Sequence, residues 1–243
     1  MIEKIEAHNI IKRFNSRFLL QYSLNVRRGA LYAIVGPNGS GKSTLLNIIS
    51  LNDRPDSGSI HYFNGSSSLP DPFNNISLRR KAALVPTRAA LFNETVYDNT
   101  AYGLRLRKVE KKEIRERVMQ ALYSVGLSEK SNCGAHELSS GEAQRLILAR
   151  ALVLEPEALF FDEPTASLDP DNTKIIEDII YARVKKSGKI TVMVTHNLNQ
   201  AKAFADFVIF MYKGKILEMS DAVSFFRGPS TEIAKKFVLG EIY

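Results

Sequence analysis

Gly36-Pro37-Asn38-Gly39-Ser40-Gly41-Lys42-Ser43-Thr44 is the stretch that decides the fold. It follows an apolar run, Leu31 to Val35, and leads into a helical-looking segment, Leu45 to Ser50. The spacing G-x-x-x-x-G-K-[ST] falls on Gly36, Gly41, Lys42 and Ser43, and a strand before with a helix after is the setting in which it cradles phosphate. Glycines at 36, 39 and 41 let the backbone aim several N–H groups inward at phosphate oxygens. A helix starting near Lys42 adds its positive N-terminal end. The Lys42 ammonium is expected at the β- and γ-phosphates of a nucleoside triphosphate, and the Ser43 hydroxyl on Mg²⁺. The rest of the stretch, Pro37, Asn38, Ser40 and Thr44, is expected to line the same nucleotide.

Outward from this loop, strands and helices alternate. Ile2 to Ile10 and Phe18 to Val26 read as strands, and Ser59 to Phe63 as a third, followed by a Ser-, Pro- and Asn-rich stretch, Asn64 to Asn75, expected as an exposed loop. Lys81 to Pro86, Ala158 to Phe161 and Ile190 to Val194 are short apolar strands. Phe207 to Tyr212 and Lys215 to Met219 form a hairpin about Lys213-Gly214, and Asp221 to Gly240 is helical in pattern. Between them, Thr95 to Arg107, Glu110 to Val125 and Ser139 to Leu154 carry helical spacing, with a further helix from Asn172 to Lys186. The expected fold is α/β: a parallel sheet covered by helices, carrying an inserted helical block. The core is assigned to residues 1–86 and 156–243, and the insert to 87–155.

Composition narrows the class. At 44% apolar and 24% charged, the 243 residues are those of an ordinary globular protein, and no apolar run approaches a membrane span. The opening MIEKIEAHNI mixes acids with apolar residues and lacks a signal-peptide layout, so the chain is expected to stay in the cytosol. One cysteine, Cys133, excludes an internal disulfide and a cysteine-cluster metal site. The net charge of +7 suits nucleic acid, an anionic membrane surface or a polyphosphate. No basic run interleaved with aromatics marks a nucleic-acid platform, and no nucleic-acid partner is expected.

Two further features carry chemistry. Ala158 to Phe161 ends in Asp162-Glu163, which puts two carboxylates at the carboxyl edge of a parallel sheet. Asp162 would hold Mg²⁺ through oxygen, and Glu163, pointing the other way, can polarise an attacking water. Leu138-Ser139-Ser140-Gly141-Glu142 opens the helix that contains Gln144, Arg145 and Arg150. It reads equally as a serine N-cap with an acid in the first turn, or as a helix-terminal anion site with a glycine for close approach.

GPNGSGKST, LSSGEAQRLILARAL, LFFDEPTASLD and VTHN, in that order and at these separations, resemble the ATPase subunit of ATP-binding cassette (ABC) transporters over essentially the whole chain. The resemblance implies a P-loop NTPase (RecA-like) core with an N-terminal antiparallel β subdomain and an inserted α-helical subdomain. It implies ATP and Mg²⁺ as ligands, and ATP hydrolysis coupled to transport. Phe14 matches the aromatic that stacks on adenine, Gly36 to Thr44 the Walker A loop, Asp162 the Walker B Mg²⁺ residue and Glu163 the catalytic glutamate. Ser139, Ser140, Gly141 and Glu142 match the signature loop, which contacts ATP bound to the other subunit. Ser167, Leu168 and Asp169 match the loop crossing the dimer interface, and His196 the switch histidine sensing the γ-phosphate. His8, His61 and His136 match nothing and read as surface imidazoles.

Two positions depart from the family pattern. Thr87 stands where glutamine is usual; its hydroxyl can still face Mg²⁺, but it offers no amide. Glu142 stands where glutamine is usual in the signature, and its charge must turn away from a nearby phosphate. The resemblance further implies a homodimer, integral membrane permease subunits and, indirectly, a periplasmic or extracellular solute-binding protein, at the cytoplasmic face of the membrane. Leu91 to Leu106, LFNETVYDNTAYGLRL, lies where the family docks its permease and is similar to the corresponding stretch of phosphate, molybdate and tungstate importer ATPases, while the signature and the compact C-terminal end lean towards a tungstate-type oxyanion importer. The alternatives are a soluble ABC ATPase acting on DNA or ribosomes, and the ATPase half of an exporter.

Overall fold

Alternating apolar residues build the antiparallel flank of the fold. In the computed structural model, which describes all residues except 16, 17, 89, 90, 167, 185, 186 and 243 and only the backbone of 15, 18, 183 and 184, strand β1 spans Lys4–Asn15. It buries Ile5, Ala7 and Ile10, and pairs antiparallel with β2 (Phe18–Arg27), which buries Leu20, Tyr22, Leu24 and Val26. The register slips between Ala7 and Ile10, where Asn9 turns left-handed, so the inward set resumes one step out of phase. Strand β3 (Leu31–Val35) carries the phosphate loop and the helix α1 (Lys42–Ile49) follows it directly. On the other side of β1 lies β4 (Ser57–Asn64), also antiparallel.

The stretch after β4 is a correction to the loop expected there. Ser67–Leu69 forms strand β5, paired with β4 through Tyr62 and Leu69 across a two-residue turn. Three consecutive serines give an exposed edge strand no apolar alternation, so its sequence reads as loop. The chain continues through α2 (Ile76–Arg79) and β6 (Ala82–Val85). Then come α3 (Val96–Leu106), α4 (Lys111–Ser124), α5 (Ser140–Leu152), β7 (Ala158–Asp162), α6 (Pro170–Ile179), β8 (Ile190–Val194) and α7 (Leu198–Phe204). Strands β9 (Phe207–Tyr212) and β10 (Lys215–Asp221) form the expected hairpin, with left-handed Lys213 and Gly214 at its tip.

One sheet runs in the order β5-β4-β1-β2-β10-β9-β3-β8-β7-β6, with β9, β3, β8 and β7 mutually parallel. Strands β3 and β8 are buried at every position, which is why they read as continuous apolar runs. Side chains of β3 divide between two cores. Tyr32 and Ile34 join the one under α1, while Ala33 and Val35 join Phe210, Phe225 and Phe237 on the opposite face. The C-terminal stretch is two helices, not one: α8 (Ala222–Arg227) and α9 (Glu232–Val238). Gly228-Pro229 interrupts them, and the Glu218 carboxylate accepts the N–H groups of Ser230 (2.9 Å) and Thr231 (3.2 Å), which pins the turn.

Two compact units divide the chain: Met1–Leu84, Glu157–Glu163 and Val184–Tyr243 in one, Val85–Pro156 and Pro164–Arg183 in the other. The helical unit therefore includes residues 164–183, which the sequence assigned to the core, because α6 packs on α5 through Asn172 against Gly141 and Arg145. Within that unit α4 buries Ile114, Val118, Ala121 and Leu122. It ends at Gly126 (φ +69°), with Leu127 N–H on the Leu122 carbonyl (2.9 Å) and Gly126 N–H on that of Tyr123 (3.2 Å).

Candidate functional site

Three adjacent strands deliver the chemistry to one edge. Ile34 of β3 and Asp162 of β7 both pair with Val194 of β8, so these parallel strands end level. Their carboxyl ends carry the Gly36 loop, Thr195-His196 and Asp162-Glu163, at the edge where open α/β sheets bind ligands.

The loop is shaped by its glycines and braced from outside. A Cβ on Gly36 (φ +147°) would lie 2.0 Å from the Met211 carbonyl oxygen of β9, so only glycine lets the loop lie on that strand. At Gly39 (φ +73°) the space is open for 4 Å, and the conformation alone favours glycine. Gly41 (φ +100°) caps α1 without a side-chain bond, leaving the first amides of the helix facing the loop. Gly214 N–H donates to the Ser40 carbonyl (3.0 Å), which ties the β9–β10 hairpin to the loop. Lys42 is buried and its ammonium donates to the carbonyls of Gly36 (2.8 Å) and Pro37 (2.9 Å). Burial lowers the Lys42 pKa, and the charges of Glu163 and Asp162 oppose that shift.

The acids and the hydroxyl meet as the motifs anticipate. Ser43 Oγ donates to Asp162 Oδ1 at 2.9 Å. Burial raises the Asp162 pKa, the Ser43 hydroxyl bond lowers it, the Glu163 charge raises it and the Lys42 charge lowers it. Glu163 sits at φ +47°, a left-handed backbone that a non-glycine residue holds only when its surroundings impose it. Its N–H donates to the Val194 carbonyl (3.0 Å) and its Oε2 lies 3.1 Å from His196 Nδ1. An ionised carboxylate only accepts, so the His196 proton belongs on Nδ1 and the neutral ring presents Nε2 as an acceptor.

Two clefts open on this edge, each of about 360 Å³. Phe14, Asn38, Gly39, Gly41, Lys42, Ser43, Thr44 and Glu163 line the first. Half-exposed Phe14 shares it with the phosphate loop, so a base stacked on the ring would continue into phosphates on the loop. Gly36, Pro37, Asn38, Glu163, His196 and Phe237 line the second. The fit for a nucleotide polyphosphate rests on the left-handed glycines, the open cleft and the buried ammonium. That for Mg²⁺ rests on its preferred donors, a hydroxyl and a carboxylate, already touching, with burial and a second acid making added positive charge favourable.

In the helical unit, Ser139 caps α5 in a capping box: Glu142 N–H donates to Ser139 Oγ (3.4 Å), and Ser139 N–H to Glu142 Oε2 (3.0 Å). The Lys130 ammonium reaches Glu142 Oε1 at 2.6 Å, and this bond holds its carboxyl below the usual range. The carboxylate is thus turned back onto its own helix end and neutralised. Ser139 and Ser140 are exposed, and Gly141 is buried against Asn172. Asp169 caps α6 through Asn172 N–H (2.9 Å), with Pro170 in the first turn. Thr87, just past β6, is half-buried; Ser167 lies outside the described residues.

Sequence reasoning missed four participants. Met211 and Gly214 brace the phosphate loop through backbone atoms, which leave no trace in residue type. Phe237 reaches the second cleft from a helix near the end of the chain, with nothing local to mark it. Asn172 was read only as the start of a helix.

Comparison with known proteins agrees with this geometry. Residues 19–166 match the family model described as ABC transporter. The tungstate uptake system ATP-binding protein TupC of Peptoclostridium acidaminophilum is 37% identical over 216 residues, covering 88% of this chain and 97% of the relative. The phosphate import ATP-binding protein PstB 2 of Natronomonas pharaonis is 36% identical over 229 residues, 90% of this chain and 80% of the relative. Among solved structures, the dimeric bacterial ABC transporter cassette MJ0796 superposes with a TM-score of 0.77 at 28% identity, covering 90% of this chain and 98% of that one. A phosphate loop, a hydroxyl–carboxylate pair and a glutamate–histidine pair at level strand ends, together with these likenesses, place the chain in the ABC transporter family, as one of its ATP-binding, ATP-hydrolysing cassettes.

Proposed function

We propose that this cassette powers an importer of a tungstate-type oxyanion, as a homodimer beneath integral membrane permease subunits at the cytoplasmic face of the membrane. A solute-binding protein outside the membrane would deliver the cargo. The observation that carries the mechanism is the meeting of Ser43 with Asp162 and of Glu163 with His196 around one phosphate loop. Each ATP is held by Phe14 and the Gly36–Thr44 loop of one copy and by Ser139, Ser140 and Gly141 of the other. Ser43 and Asp162 would hold Mg²⁺, which would supply charge neutralisation at the transferred phosphoryl group. Lys42 turns from the Gly36 and Pro37 carbonyls toward the phosphates. Glu163 orients and polarises the attacking water, and His196, through Nδ1–H, holds the Glu163 carboxylate in place. Asp169 faces the second copy.

Import is supported by the relatives, whose names assign them tungstate and phosphate. Permease docking is supported by the exposed Phe92, Tyr102 and Leu106 within the 91–106 stretch, with the Phe92 and Tyr102 rings 4.4 Å apart. Among the described residues no helix is long and apolar enough to cross a membrane.

Glu163→Gln tests the mechanism. The amide keeps the shape and loses the charge, so turnover should fall at least about a hundredfold while an ATP-bound dimer accumulates on size exclusion. Monomers alone, with ATP and Mg²⁺ present, would refute the dimer. For cargo, the complex with its permease in liposomes should take up tungstate in preference to phosphate; the reverse order would assign phosphate instead.

A further inference from the structure

Two stretches expected to face the second copy, Ser139–Glu142 and the segment ending at Asp169, are joined inside the helical unit by one side chain. Asn172 Nδ2 donates to Asp169 Oδ2 at 2.7 Å, and its backbone N–H donates to Asp169 Oδ1 at 2.9 Å. Its Oδ1 accepts from Arg145 Nη1 at 3.2 Å, one turn into the helix that Ser139 caps. The same amide stands against Gly141: a Cβ there would lie 2.1 Å from Asn172 Oδ1 and 2.2 Å from its Cγ. The absence of a side chain at Gly141 is therefore used inside the protein, by a neighbour, and not only toward a phosphate.

We propose that Asn172 is a positioning residue that locks the Asp169 segment and the Ser139–Glu142 helix end into one rigid surface for the second copy. The chemistry demands an amide. It must accept from a guanidinium on one side and donate to a carboxylate on the other, and only asparagine offers both at this length. An aspartate would keep the Arg145 bond but set a second carboxylate against Asp169. An alanine would keep the fit at Gly141 and lose both side-chain bonds. The inference rests on the dimer proposed above, because it assigns the two joined loops to the same partner.

The test uses the full chain with Glu163→Gln, which holds ATP without turnover. Adding Asn172→Ala or Asn172→Asp should weaken ATP-driven dimerisation by about tenfold or more, the scale of one lost hydrogen bond to a charged group. Nucleotide affinity of the monomer should stay unchanged, which a general loss of structure would not permit. Gly141→Ala should weaken the dimer as well, and combining it with Asn172→Ala should cost less than the product of the two effects, since both break one contact. Undiminished dimerisation in Asn172→Ala, or strictly multiplicative effects, would overturn the lock. If the parent Glu163→Gln protein stays monomeric, the dimer itself is refuted. Amide hydrogen exchange then decides the lock: Asn172→Ala should speed exchange at Glu142 to Arg145 in the monomer, and unchanged protection there would overturn it.

Discussion

Replacing Gly36 by alanine separates two reasons for a glycine that a motif cannot distinguish. Gly36 and Gly39 both hold positive φ, +147° and +73°, so each substitution strains the backbone, by about 1–3 kcal/mol. Only at Gly36 does the new methyl meet something, the Met211 carbonyl oxygen at 2.0 Å, whereas Gly39 faces open space. That oxygen belongs to a buried strand paired with β3, so relief requires lifting the loop off the sheet. Overpacking of this kind costs about 1–3 kcal/mol more. At about 2–4 °C per kcal/mol for a chain of this size, Gly36→Ala should melt about 6 °C below Gly39→Ala. Thermal unfolding of the two variants, followed by circular dichroism without nucleotide, measures this difference. ATP affinity should also fall further in Gly36→Ala, because the Gly36 carbonyl that now holds Lys42 moves with the loop. Equal melting temperatures, or a lower one for Gly39→Ala, would refute the claim that contact with β9 is what requires glycine at 36.

Thr87→Gln restores the amide usual in the family and should change transport-coupled turnover more than ATP affinity; reconstituted complexes with an unchanged coupled rate would refute this. Lys130→Met should lower stability by about 0.2–1 kcal/mol at neutral pH, because it removes the cation that draws Glu142 back onto the α5 cap. The Glu142 carboxyl is depressed in the folded state, so its contribution is present above the ordinary carboxylate range and lost as pH falls through its lowered folded value. The gap in unfolding free energy between Lys130→Met and the unaltered protein should therefore close in acid; a gap that persists or widens there would contradict the assignment.

The core was legible because its signals are local. A glycine loop between an apolar strand and a helix, an apolar strand ending in two acids, and a strand followed by Thr-His each declare themselves in a few residues. The structure brings all three to one edge, with contacts of 2.9 Å between Ser43 and Asp162 and 3.1 Å between Glu163 and His196. Legibility failed where the signal was weak or distant. Serines hid β5, and Pro229 broke a helix whose apolar spacing continued past it. Residues 164–183 belong with the helical unit, where the Asn172 amide meets Arg145, a contact that no periodicity encodes.

Residue types and their spacing thus determined which groups could do chemistry: a lysine, a hydroxyl, two acids and a histidine, each in a recognisable local frame. Whether those groups touch was decided by the parallel pairing of β3, β8 and β7, since level strand ends depend on register between residues far apart in the chain, such as Ile34, Asp162 and Val194. Tertiary structure alone also decided why Gly36 and Gly141 must be glycines. A sequence marks a missing side chain, but the carbonyl or amide that occupies its place comes from another element, and hard-core repulsion at about 2 Å is what forbids anything larger.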